Sequence, residues 1–189
     1  MPEQRNNNRG PRRDQAPAEP KQFEELVINI DRVSRVVKGG RRFRFKALVV
    51  VGDRKTKVGV GVAKGTDVQM AVQKATDVAK KNMITIPVLN GTIPHDTEVK
   101  FSGARVLLKP AAPGTGIIAG GVVRSIIGTT GITNLLTKSL NSTNKVNIAY
   151  ATIDALKSLV PREDWLSTKN AKKSTKKVAE VAETVEETA

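Results

Sequence analysis

The 189-residue chain has no cysteine, so disulfides, thiol nucleophiles and cysteine-ligated zinc are all excluded. Its one histidine, His95, stands in the loop-like run Thr92-Ile93-Pro94-His95-Asp96, with no second histidine to complete a metal site. His95 therefore reads as a solvated loop residue, and neither a metal nor a cofactor is expected. Aromatic residues make up only 3% of the chain, too few for a reader that stacks successive bases on exposed rings. Long apolar runs are missing as well. The stretch 47–51 is short, and 117–127 is broken by Gly120, Gly121 and Arg124, against the roughly 20 residues a membrane helix requires. The N-terminus lacks an apolar signal core, which points to a cytoplasmic protein without a membrane partner.

Acidic residues are outnumbered, and unevenly so. The formal charge is +14, and residues 23–90 hold fourteen Lys/Arg against six Asp/Glu. The segments 1–22, 91–165 and 166–189 carry only +2, +3 and +1. A charge serving solubility alone would be spread more evenly. A folded segment with this local excess calls for a polyanion, and RNA is the leading choice.

Residues 1–22, rich in Asn, Arg, Pro and Gln, read as a disordered basic arm. A first strand from Glu25 would place Leu26, Ile28 and Ile30 on one face. It leads to Lys38-Gly39-Gly40, where two glycines can supply positive φ in a hairpin turn. A second strand covers 41–51. In it Phe43 and Phe45 alternate with Arg42, Arg44 and Lys46, so the rings should face a core and the cations solvent. A third strand, 57–63, alternates Val58, Val60 and Val62 with Gly59 and Gly61, leaving a bare face that a helix or an RNA backbone can approach. Thr66-x-x-Gln69 reads as a capping box, and Val68, Ala71, Val72, Ala75, Val78 and Ala79 as the buried stripe of the next helix. This β-β-β-α order is that of a double-stranded-RNA-binding module without its leading helix.

The cations of this unit that lie on strands and turns are Arg32, Arg35, Lys38, Arg41, Arg42, Arg44, Arg54, Lys55, Lys57 and Lys64. They are candidate phosphate contacts, and Gly39 and Gly40 would let the backbone come close to RNA. Arg41, Arg42, Arg44, Lys55 and Lys57 are expected to share one surface. Lys80 and Lys81 close the helix, where the dipole favours cations and RNA contact is equally open to them. After a connecting strand and turn at 85–97, strands are expected at 99–101, 105–108 and 135–140. Asn144 should cap a helix with Val146, Ala149, Ile153, Leu156 and Val160 inward. Beyond Trp165 the chain turns Lys-rich and then Glu-rich, with little to bury, and is expected to be disordered.

Gly114-Thr115-Gly116-x-x-x-Gly120 looks at first like a phosphate cradle. Its spacing is one residue too long for a dinucleotide fingerprint, and no Asp or Glu occurs between Glu98 and Asp154 to hold a ribose. The loop faintly resembles that of small-molecule kinases, which need acidic residues for magnesium and base catalysis, and no convincing set is present. An enzyme is not expected. The glycines suit tight packing of loop and helix against a neighbour. A free RNA chaperone or antiterminator is a further class.

Val33-Ser34-Arg35-Val36-Val37-Lys38-Gly39-Gly40-Arg41-Arg42-Phe43-x-Phe45-x-Ala47-Leu48-Val49-Val50-Val51-Gly52-Asp53, Lys57-Val58-Gly59-Val60-Gly61, Lys80-Lys81-Asn82-Met83, Gly114-Thr115-Gly116-Ile117-Ile118-Ala119-Gly120-Gly121 and Ser142-Thr143-Asn144 resemble, in order, the family of bacterial small-subunit ribosomal protein five. The likeness runs from about Phe23 to Trp165 and leaves both tails outside. It implies an α+β protein with a double-stranded-RNA-binding-like domain over 23–84. A C-terminal two-layer α/β domain with a left-handed crossover would follow over 85–165, with tails at 1–22 and 166–189. It also implies binding to 16S ribosomal RNA in the small ribosomal subunit, contact with ribosomal protein four and other small-subunit proteins, and support of decoding accuracy near the mRNA path. No obligate homo-oligomer is implied. The family loop tied to spectinomycin resistance is similar to 34–40 here. The surface facing protein four is similar to 114–124, with Gly114, Thr115, Gly116, Gly120, Gly121 and Arg124 as its residues. Three departures stand out: Arg54-Lys55-Thr56 replaces a glycine-rich loop, Ala63 and Gly65 exchange the usual residues around Lys64, and Tyr150 stands where a basic residue is common.

Overall fold

A computed structural model describes residues 23–162 and Trp165. The expected disordered arm at 1–22 and tail at 166–189 lie outside the described residues. The architecture follows from the apolar run 47–51, every residue of which is buried. A strand with one wet face would alternate, so this one must be covered on both sides. It belongs to β2 (Gly40–Gly52), which pairs antiparallel with β1 (Glu24–Val37) and β3 (Lys57–Gly65). A two-residue β4 (Ile84–Thr85) completes the order β1-β2-β3-β4. On one face Ala47, Val49 and Val51 meet Ala71, Ala75 and Ala79 of α1 (Val68–Lys81). On the other, Leu48, Val50, Val58 and Val60 enter the larger core of the C-terminal half.

The bare face of β3 is taken by the helix. A Cβ at Gly59 would sit 2.2 Å from Ala79 O, one at Gly61 2.0 Å from Ala75 O, and one at Gly65 2.6 Å from Ala71 N. From Gly59 to Gly61 the strand rises about 6.6 Å and from Ala79 to Ala75 the helix about 6 Å, so these two glycine–alanine contacts stay nearly in step. Small residues on both sides let the two backbones touch.

Three local expectations are corrected. The shift in register between Val27 and Asn29 leaves Ile28 as the extra residue of a β-bulge, so Leu26, Ile28 and Ile30 do not share a face. Ile28 packs on the main core, while Leu26 and Ile30 are exposed. The capping box does not form: the N-cap is Asp67, and the Thr66 hydroxyl instead donates to Met70 Sδ at 3.5 Å. The helix begins one residue later than the box requires, leaving Val68 exposed, with Val72 and Val78 half-buried and Thr76 on the buried side. Only Gly39 of the hairpin turn has positive φ (88°), and Gly40 already pairs with Val37 as part of β2.

The second sheet contains β5 (Thr97–Phe101), β6 (Ala104–Pro110), β7 (Ile117–Ile118) and β8 (Leu135–Ser139), in the order β5-β6-β8-β7. β7 and β8 are parallel and are joined across α2 (Gly121–Gly128). Helix α3 (Lys145–Lys157) starts where Asn144 Oδ1 accepts from Val146 N at 3.2 Å, as its capping role requires. Ala149, Ile153 and Leu156 are buried, but Val146 is only half-buried and Val160 lies past the helix end, 40% exposed. The chain is thus α+β, with a β-β-β-α N-terminal part and a mixed C-terminal part meeting across one apolar core.

Candidate nucleic-acid interface

Because β3 pairs with β2 only from Phe45 onward, residues 33–37 and 40–44 form a two-stranded arm beyond the third strand. Its overhang is roughly 16 Å from the strand rise. Facing residues of a ladder share a side, which sorts the arm's side chains. Arg35 opposite Arg42, Val33 opposite Arg44, and Lys64 opposite Lys46 all fall on one side. Arg35, Arg42, Arg44 and Lys64 line a hollow of about 130 Å³ together with Val33 and Ser34. All four cations are exposed and none has a carboxylate partner among the described residues. Lys46 differs, being held by Asp31 at 2.7 Å. The Lys46 ammonium and then the Asn29 amide, both bonded to Asp31, keep that carboxyl below its ordinary range.

The other side carries Phe43, and here the core expectation fails. Phe43 is 50% exposed because α1 does not extend along the arm, and the Arg32 guanidinium lies 3.8 Å from its ring centroid. Phe45, two residues closer to the body, does pack against the α1 core. Lys38, Gly39, Gly40 and Arg41 form the exposed tip.

Arg54, Lys55 and Lys57 are not on the arm. They sit beyond the far end of β2, roughly 30–35 Å from Arg42 by the strand rise, so the expected single surface is two. Lys80 and Lys81 join this second group, since Ala79 packs at Gly59 near the start of β3. Arg54 is paired rather than free: its Nε and Nη2 donate to Glu24 at 2.5 and 2.7 Å. That hydrogen bonding lowers the Glu24 carboxyl and raises the Arg54 guanidinium. Lys80 is 3.0 Å from Glu25. Lys55, Lys57 and Lys81 are exposed without such partners among the described residues.

The turn carrying Arg54 is built by Asp53, whose Oδ1 accepts from the backbone N–H groups of Lys55, Thr56 and Lys57 at 2.8–2.9 Å. Burial pushes this carboxyl up, but the converging N–H donors outweigh it and hold it below its ordinary range. Arg54 takes φ 55°. The turn is fastened to the other half of the chain through Arg54 N to Thr129 O (3.0 Å) and Gly131 N to Lys55 O (2.9 Å).

The glycine-rich loop is no phosphate cradle. The side-chain oxygen of Asn134 accepts from Gly114 N (3.1 Å) and Gly116 N (3.0 Å), occupying the amides a phosphate would need. Gly114 and Gly116 have positive φ, which explains glycine there. The packing expectation is not met inside the chain, since a Cβ at Gly114, Gly116, Gly120 or Gly121 would meet no atom within 4 Å. Thr115 and Arg124 are exposed beside them. Tyr150 is engaged within the protein, its ring 5.4 Å from that of Phe101. His95 is also engaged: its Nε2 accepts from Val160 N at 3.1 Å, and its ring lies 5.6 Å from Trp165. Among the described residues no cluster of metal-ligating side chains occurs, and no helix is long and apolar enough to cross a membrane.

These features define a class: a basic α+β protein that presents its positive charge on a protruding two-stranded arm rather than in a catalytic cleft. Comparison with known proteins narrows the class. The family model described as ribosomal protein S5, N-terminal domain, matches residues 23–87, and that described as ribosomal protein S5, C-terminal domain, matches 99–169. The chain is 55% identical over 142 residues to small ribosomal subunit protein uS5 of Thermus thermophilus, covering 75% of this chain and 88% of that one. It is 52% identical over 143 residues to uS5 of Thermotoga neapolitana, covering 75% of this chain and 80% of the relative. With uS5 of Treponema denticola the figures are 53% over 135 residues, 71% of this chain and 78% of the relative. The chain belongs to the ribosomal protein S5 family, a family of ribosomal structural proteins and not of enzymes.

Proposed function

We propose that the protein is a structural constituent of the small ribosomal subunit in the cytoplasm and that its arm binds 16S ribosomal RNA. The observation that carries this is the convergence of Arg35, Arg42 and Arg44 of the arm with Lys64 at its base, without carboxylate partners among the described residues. Such a site neutralises phosphates and releases their counterions, so it favours structured RNA held through its backbone. Lys55, Lys57 and Lys81 form a second, smaller patch at the other end of the sheet, suited to a separate RNA segment. Lys38 and Gly39 at the arm tip are where the family resemblance locates the spectinomycin response.

The surface from Gly114 to Arg124 is assigned to ribosomal protein four. Its exposed glycines leave room for a close partner. A contact there that differs between open and closed forms of the subunit would bias decoding accuracy near the mRNA path.

The test compares Arg35→Ala/Arg42→Ala/Arg44→Ala/Lys64→Ala with Lys55→Ala/Lys57→Ala in binding to 16S RNA fragments across a salt series. Each lost phosphate contact lowers the log–log slope by about 0.7–0.9, so the quadruple variant should lose roughly 3 and the double variant at most about 1.8. An unchanged slope in the quadruple variant would put the RNA surface elsewhere.

A further inference from the structure

The second sheet has one face covered by helices and one face open. Its pairing Lys109 with Leu136, Leu107 with Lys138, and Ile118 with Leu136 sorts the open side. Leu136, Leu140 and Ile118 are 37%, 46% and 53% exposed; Ile118 sits beside Leu136 in the β7–β8 pair, whereas Leu140 lies about 13 Å further along, past Lys138. Lys100, Lys109 and Lys138 are exposed around them without carboxylate partners among the described residues, whereas Arg105 is held by Glu98 at 2.7 Å. Apolar and basic side chains alternate across the face, which therefore asks for an occupant that interleaves apolar and acidic side chains.

The chain contains such a segment. Residues 178–187 read Val-Ala-Glu-Val-Ala-Glu-Thr-Val-Glu-Glu, with Val178, Val181, Ala182 and Val185 at helical spacing and four glutamates between and after them. We infer that this acidic segment docks on the open face of the second sheet in the free protein. The last described residue, Trp165, is anchored by its ring against His95, two residues ahead of β5. The twelve residues 166–177 can reach about 40 Å when extended, ample for a four-stranded sheet about 15 Å across. Tethering supplies an effective concentration in the millimolar range, enough to populate a contact of only a few side chains. The acidic segment then shields the sheet lysines from unspecific RNA and leaves the arm on the opposite half free.

The test is zero-length carboxyl–amine crosslinking of the full-length, RNA-free protein, read by mass spectrometry on a mixture of light and 15N-labelled chains. Crosslinks are expected from Glu180, Glu183, Glu186 or Glu187 to Lys100, Lys109 or Lys138, within one isotope. They should fall at least fivefold in Leu136→Asp/Leu140→Asp, and also in Leu136→Ser/Leu140→Ser, each variant shown by far-ultraviolet circular dichroism to keep the parental fold. Crosslinks spread evenly over Lys38, Lys55 and Lys64 as well, mixed-isotope crosslinks that make a second copy the occupant, or no tail crosslinks at all would each overturn the inference. So would an acetylation footprint in which the sheet lysines are protected only when RNA is added.

Discussion

Gly61→Ala is the sharpest test of how the N-terminal half is held together. The added methyl would stand 2.0 Å from Ala75 O and 2.6 Å from Ala79 N, both backbone atoms of α1. Ordinary contact begins near 3.4 Å, so strand and helix must separate by about 1.4 Å or the helix must slide. No flexible side chain lies between them to yield. Overpacking of this kind costs about 1–3 kcal/mol, and backbone opposition on both sides places it at the upper end. Alanine recovers about 0.5–1 kcal/mol over glycine in a strand, leaving a net loss of about 2–2.5 kcal/mol. For a chain of this size that is a drop in Tm of roughly 4–10 °C. Urea unfolding followed by far-ultraviolet circular dichroism measures it, with Gly103→Ala as control. Gly103 has open space around it and no positive φ, and its variant should stay within about 0.5 kcal/mol of the parent. A Gly61→Ala midpoint equal to that of the control would refute the glycine–alanine packing.

Asp53 has a depressed carboxyl pKa in the folded protein, so its contribution is complete above about pH 4 and is lost as pH falls through the lowered value. Asp53→Ala should therefore flatten that part of the acid-unfolding curve, and a curve parallel to the parent's would deny the turn its role. Trp165 is the only tryptophan and reports on the His95 anchor. His95→Phe keeps the ring but removes the acceptor for Val160 N, so acrylamide quenching should rise, and further in His95→Ala; equal quenching in all three proteins would contradict the anchor. For the surface assigned to protein four, Gly120→Glu is a cleaner probe than a change at Gly116, whose φ of 73° would strain any side chain. Normal subunit incorporation with raised stop-codon readthrough is expected; incorporation with parental readthrough would dissociate the loop from fidelity.

The fold was legible where a pattern repeats. Alternating residues, paired glycines and a 3.6-residue stripe locate β2, β3 and α1 to within a residue or two. The bulge at Ile28 was not, since one inserted residue leaves no mark on composition. The fate of Phe43 was hidden for a related reason: alternation gives the side a residue faces, not how far the covering helix extends. Long-range partners escaped too. Glu24 binds Arg54 across thirty residues, and Asn134 holds a loop eighteen to twenty residues before it. Only the burial of a lone Asn, 8% exposed, hints at its task, and burial is not written locally. The cations themselves were readable, but their division into two groups needed the length of β2.

β2 runs from the arm tip into a region gripped on both faces, with alanines of α1 on one side and the larger core on the other. Mechanically it is a beam clamped at its root. A load applied at Lys38 flexes the free length of the arm and is taken up at its root, at Phe45 and Lys46, from which β2 continues to the Asp53 turn bonded to Thr129 and Gly131 just past the end of α2.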